Sequence, residues 1–132
     1  MSVRLRKRIH PALEQWFFSR FESFSEIQSL ALPHTLSGEN TMILAPTGSG
    51  KTLAAFLSAL SALGKLAEKG KLVNAAHVIY ISPLRSLSRD IERNLRGPLD
   101  ALNASLPDAK RVRMDIRTGD TSLEARQKTL AS

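Results

Sequence analysis

The run Thr41-Met42-Ile43-Leu44-Ala45-Pro46-Thr47-Gly48-Ser49-Gly50-Lys51-Thr52 joins a short apolar stretch to a glycine-rich loop. It leads into Leu53-Ala54-Ala55-Phe56-Leu57, the opening of an amphipathic helix. Strand, loop, Gly50-Lys51-Thr52 and helix in that order make a P-loop, which cradles a nucleoside triphosphate. Gly48 and Gly50 lack a Cβ, so the backbone can curl and aim successive N–H groups at phosphate oxygens. The helix that starts near Lys51 adds the positive end of its dipole. Lys51 is expected to reach the β- and γ-phosphates, and the Thr52 hydroxyl to ligate Mg²⁺. The general pattern opens on glycine, whereas this chain has Ala45, followed by Pro46, which stiffens the entry. Ala45, Pro46, Thr47, Gly48, Ser49, Gly50, Lys51 and Thr52 are therefore the candidate residues for a nucleoside triphosphate and its Mg²⁺. Lys51 and Thr52 are the catalytic ones among them.

Outward from the loop, strand-like and helix-like segments alternate. Pro11 marks the first turn of a helix over His10 to Phe21. Trp16, Phe17, Phe21 and Phe24 crowd this region and are expected to pack it onto the rest of the domain. Ser25-Glu26-Ile27-Gln28 opens a second helix to about Leu36, with Pro33 expected to kink or divide it. Helical spacing of Leu53, Phe56, Leu57, Leu60 and Leu63 carries the post-loop helix to about Lys69, where Gly70 ends it. His77 to Ser82 is almost continuously apolar, the signature of a central strand covered on both faces. A helix follows from about Ser86, with Gly97-Pro98 expected to kink or interrupt it. Arg111 to Arg117 alternates, with Val112, Met114 and Ile116 on one face, as in a half-exposed strand. Thr118-Gly119-Asp120 turns, and Thr121 with Glu124 reads as a capping box for a last helix. The expected fold class is α/β: a P-loop (RecA-like) parallel sheet with flanking helices. Three strands fall short of the usual five or six, so the sheet is expected to be incomplete in this chain. The expected organisation is a helical segment over 1–24 and a partial ATP-binding domain over 25–132.

The chain has 132 residues, room for one small domain, and 42% hydrophobic content, enough for a core. No apolar run could span a membrane, and no apolar region follows the basic N-terminus as a secretory signal would require. That basic N-terminus, Met1 to Arg8, reads first as a solvated tail, with a nucleic-acid arm or a localisation patch as the alternative. Cysteine is absent, which excludes disulfides and cysteine metal sites and fits a reducing cytoplasm, the expected location. A formal charge of +7 suits a polyanionic partner.

Four blocks in order resemble superfamily-two helicases. Phe24-Ser25-Glu26-Ile27-Gln28 resembles the Q motif, and Ala45 to Thr52 looks like motif I. Tyr80-Ile81-Ser82-Pro83-Leu84-Arg85-Ser86-Leu87 resembles motif Ia, and Arg117-Thr118-Gly119-Asp120-Thr121 the block after it. The wording is closest to the large helicase-related (Lhr) branch of DEAD/DEAH-type helicases. The resemblance implies an ATP-dependent helicase acting on DNA or RNA, either single strands or duplexes with a single-strand tail. It implies that Gln28 reads adenine; the same residue also fits a capping box with Ser25, and both roles can hold together. It places Pro83, Leu84, Arg85, Arg89, Thr118, Gly119 and Asp120 on the bound strand. Spacing adds its own support, because Arg85, Arg89, Arg93 and Arg96 share one helical face opposite Leu84, Leu87, Ile91, Leu95 and Leu99.

The family pattern also has a Walker B strand ending in Asp-Glu, which holds Mg²⁺ and positions water. No such pair occurs here, and Asp115 is followed by Ile116. The expectation is therefore an N-terminal part of a longer enzyme, with the 132 residues alone inactive. The alternative is a non-catalytic nucleotide- or nucleic-acid-binding module. A small kinase or transporter ATPase fits less well, since the Gln28 and Arg85 blocks have no role there.

Overall fold

The computed structural model describes the backbone of residues 2–82 and 85–117 and the side chains of 3–82 and 94–117. Among the described residues five helices carry the architecture: α1 (Ser2–Arg8), α2 (Pro11–Arg20), α3 (Glu26–Leu36), α4 (Lys51–Glu68) and α5 (Arg85–Ala104). A 3₁₀ turn over Asp108–Lys110 follows. The basic N-terminus is no free tail, because Leu5 and Ile9 are buried and seat α1 on α3. Arg6 is drawn inward, its Nε 2.8 Å from Glu14 Oε1 and its guanidinium 3.8 Å above the Phe18 ring.

The α1–α2 corner is held by His10. Its Nδ1 accepts the Ala12 N–H at 3.2 Å and so caps α2. In the neutral ring this leaves Nε2 as the donor to Glu68 Oε1, 2.7 Å away on α4. The His10 backbone N–H reaches Ser61 Oγ at 3.1 Å. Gly64 makes this approach possible, since a Cβ there would lie 2.8 Å from His10 Cδ2 and 2.7 Å from Leu102 Cδ1 on α5.

The core joins Leu13 and Phe17 of α2, Leu32 of α3, Leu57, Leu60 and Leu63 of α4, and Leu99 and Leu102 of α5. The rings of Phe18, Phe21 and Phe24 surround Phe17 at 4.8–5.0 Å, the packing role expected of the aromatics. At two prolines the expected division of the helix does not occur. α3 continues through Pro33, and α5 runs uninterrupted through Gly97 and Pro98. At Pro98 burial outweighs the lost hydrogen bond: its ring is fully buried, and Gly97 sits against the Trp16 indole, leaving only 3.3 Å between a Cβ there and Cζ2.

The larger correction concerns the sheet. Among the described residues no strand forms, and 41–45, 77–82 and 111–117 run without a hydrogen-bonded ladder. His77 to Ser82 is not covered on both faces: Ile79 is 77% and Ile81 87% exposed. Met42 and Leu44 are 84% and 81% exposed. An apolar pattern supplies the tendency to be buried, but a strand exists only when a neighbour takes up its N–H and C=O groups. The alternation over 111–117 survives in part. Val112 is buried and Met114 packs on the core, while Ile116 and the charged residues are exposed. The Asn103 side chain holds this segment with a reciprocal pair of 2.8 Å bonds to the Val112 N–H and C=O. The predicted Thr121–Glu124 capping box lies outside the described residues.

Candidate nucleotide site

Loop 45–50 enters α4 through two glycines in the left-handed region, Gly48 at φ +84° and Gly50 at φ +88°. Only glycine takes up this conformation without strain. Gly50 is also crowded: a Cβ there would lie 2.5 Å from Gln28 Nε2. No side chain caps α4, and its first backbone hydrogen bond runs from the Ala54 N–H to Gly50 O at 3.1 Å. The N–H groups of the first turn therefore point out of the helix end as an anion site. Lys51 folds back on its own loop, its Nζ donating to Ala45 O at 2.9 Å. A phosphate oxygen can replace that carbonyl and gains a charge-assisted bond in doing so. Thr52 follows in the same turn.

The N-terminus of α3 buttresses the loop from behind. Ser25 and Gln28 form the expected capping box: Gln28 Oε1 accepts the Ser25 N–H at 2.9 Å, and Ser25 Oγ accepts the Gln28 N–H at 3.3 Å. The same side chains then reach the loop. Ser25 Oγ donates to Ser49 O at 2.8 Å, and Gln28 Nε2 donates to Gly50 O at 3.1 Å. Gln28 is 4% exposed. Its amide retains one N–H and one lone pair beyond these bonds. Ser25 as a loop contact was missed by sequence reasoning. Its position before a helix signals a cap, but nothing local signals a partner 24 residues downstream.

Beside this junction lies a cavity of about 430 Å³ lined by Ser25, Ile27, Leu30, Ala45, Pro46 and Ser49, among others. Ser49 Oγ is buried and has no hydrogen-bond partner among the described residues. An open helix end, a cation held by a replaceable carbonyl and an orphaned hydroxyl together fit a nucleoside triphosphate.

Gly64, late in α4, meets Leu102, late in α5, while Phe56 early in α4 stacks 5.4 Å from Tyr80 just before α5. The two helices run side by side in one direction. The start of α5, carrying Arg85 and Arg89, therefore lies at the same end of the molecule as the P-loop. Pro83, Leu84, Thr118, Gly119 and Asp120, the other expected strand contacts, lie outside the described residues.

The DEAD/DEAH box helicase profile matches residues 25–131. The chain is 43% identical, over 98% of its length, to ATP-dependent helicase Lhr-Core of Methanothermobacter thermautotrophicus. It is 37% identical, over 89% of its length, to Lhr helicase/uracil glycosylase of Escherichia coli. It covers 15% and 8% of those two relatives. A solved structure of the Mycobacterium smegmatis helicase Lhr bound to ssDNA and AMP-PNP matches 96% of this chain and 16% of its own, at 34% identity and TM-score 0.79. The backbone thus follows a P-loop helicase lobe even where no ladder closes, and the chain belongs to the DEAD/DEAH box helicase family.

Proposed function

We propose that this chain is the nucleotide-binding part of an ATP-dependent nucleic-acid helicase of the Lhr type. Residues 25–132 would form the leading part of a RecA-like ATP-binding lobe, with 1–24 as a helical segment packed on it. In the whole protein the three extended segments would pair into a parallel sheet. The observation that carries this reading is the uncapped α4 N-terminus behind two left-handed glycines, with Lys51 held by a loop carbonyl. It stands on a chain 43% identical to an ATP-dependent helicase.

ATP with Mg²⁺ supplies the hydrolysable phosphoanhydride. The chain's own part is positional. The backbone of 48–52 would bind phosphate oxygens, Lys51 would exchange Ala45 O for a phosphate, and Thr52 Oγ1 would ligate the metal. Gln28 offers its remaining N–H and lone pair to an adenine edge in the adjoining cavity. Arg85 and Arg89, with Pro83, Leu84, Thr118, Gly119 and Asp120, would contact the backbone of a DNA or RNA strand. Support for a strand comes from the ssDNA held by the solved Lhr relative.

Titrating a fluorescent non-hydrolysable ATP analogue into the chain tests the site. Binding that Lys51→Ala abolishes is expected; equal affinity in both proteins overturns the reading. No Asp-Glu pair ends an apolar run in these 132 residues, so the chain is expected to bind nucleotide without turning it over. Strand-stimulated phosphate release that depends on Lys51 would refute that second point.

A further inference from the structure

The α1 helix carries a second basic surface, away from the P-loop. Arg4, Lys7 and Arg8 are exposed on it within about one helical turn. Exposed Lys65 joins them from α4 by donating from Nζ to Arg8 O at 2.6 Å. Lys69, exposed and four residues further along, shares the Lys65 face. The carboxylates at this end are already engaged, Glu14 by Arg6, Glu68 by His10 and Glu39 by His34. Arg8 is partly occupied by Pro33 O and Ser37 Oγ. The side chains of Arg4, Lys7 and Lys69 have no hydrogen-bond or ion-pair partner among the described residues.

A cation surface left uncompensated while its neighbours are paired implies a polyanionic partner. We infer that Arg4, Lys7, Arg8, Lys65 and Lys69 form a second nucleic-acid contact, binding phosphates of a strand that extends beyond the start of α5. Helix geometry separates it from the P-loop by about 20 Å along α4, so it is distinct from the Arg85 end. Nucleic acid fits better than a lipid surface. Membrane-lying helices offer a broad apolar face beside their cations, whereas Leu5 and Ile9 here are buried in the core and Val3 is the one large apolar side chain that α1 exposes among the described residues.

The test is the salt dependence of binding to a long single-stranded oligonucleotide. Each lost phosphate contact lowers the slope of log K against log salt by about 0.7. The triple variant Arg4→Gln/Lys7→Gln/Lys69→Gln is expected to lower it by about 2, with unchanged far-ultraviolet circular dichroism. Should the triple variant lose helix signal, Lys7→Gln and Lys69→Gln are measured singly, each expected to lower the slope by about 0.7. An unchanged slope overturns the inference. So does absence of salt-sensitive strand binding by the unaltered chain, or a loss confined to binding of anionic vesicles. An Arg85→Gln/Arg89→Gln variant run in parallel separates the two sites: a fall in slope there alone leaves the proposed function standing and removes this one.

Discussion

Gly50 and Lys51 illustrate how much of the proposed nucleotide site rests on single residues. At Gly50 a methyl group meets two obstacles, a φ of +88° and the Gln28 amide 2.5 Å away. A non-glycine residue in that region costs about 1–2 kcal/mol before the amide is displaced. Gly50→Ala is therefore expected to weaken ATP-analogue binding by on the order of tenfold or more, measured by fluorescence titration. Unchanged affinity would mean that the loop binds in another conformation. Gly64 is a packing case. Gly64→Ala gains helix propensity of about 1 kcal/mol but forces Leu102 or His10 aside. Overpacking costs about 1–3 kcal/mol, so a net loss of stability is expected in urea unfolding.

Among the helices, the joint between α3 and the P-loop bears most directly on the proposed function. Ser25 and Gln28 start α3 and brace the loop with the same atoms. Ser25→Ala removes the cap, worth about 1 kcal/mol, and frees the Ser49 carbonyl. It is expected to lower both unfolding stability and nucleotide affinity. A stability loss with unaltered affinity would show that the brace is structural only. Gln28→Glu separates the roles further. It keeps the Oε1 that accepts the Ser25 N–H but loses the donor to Gly50 O, so affinity should fall more than helix content.

Taken as one body, the molecule has a well-filled helical core and an unpaired apolar side. Met42, Leu44, Ile79 and Ile81 lie on extended segments with no ladder partner among the described residues, a surface that favours association. Light scattering of the 132-residue chain is expected to rise with concentration. Ile79→Lys/Ile81→Lys should suppress it, and scattering unchanged by that pair would locate the sticky surface elsewhere.

Much of this protein was legible one residue after another. Helix starts at Pro11, Ser25 and Gly50, the end at Gly70 and the phosphate loop all follow from local chemistry: a ring that presets φ, a hydroxyl that caps, a missing Cβ. Such effects act within a turn of their cause, so short windows of sequence contain them. Contacts between distant segments were not legible in that way. Ser25 on Ser49, Gln28 on Gly50, His10 on Glu68 and the Pro98 ring inside a continuous helix depend on which surfaces meet. The apolar segments mark the limit most plainly. Their composition records a demand for burial and pairing, but pairing is a property of two chain segments, and only the tertiary arrangement says whether the second is there.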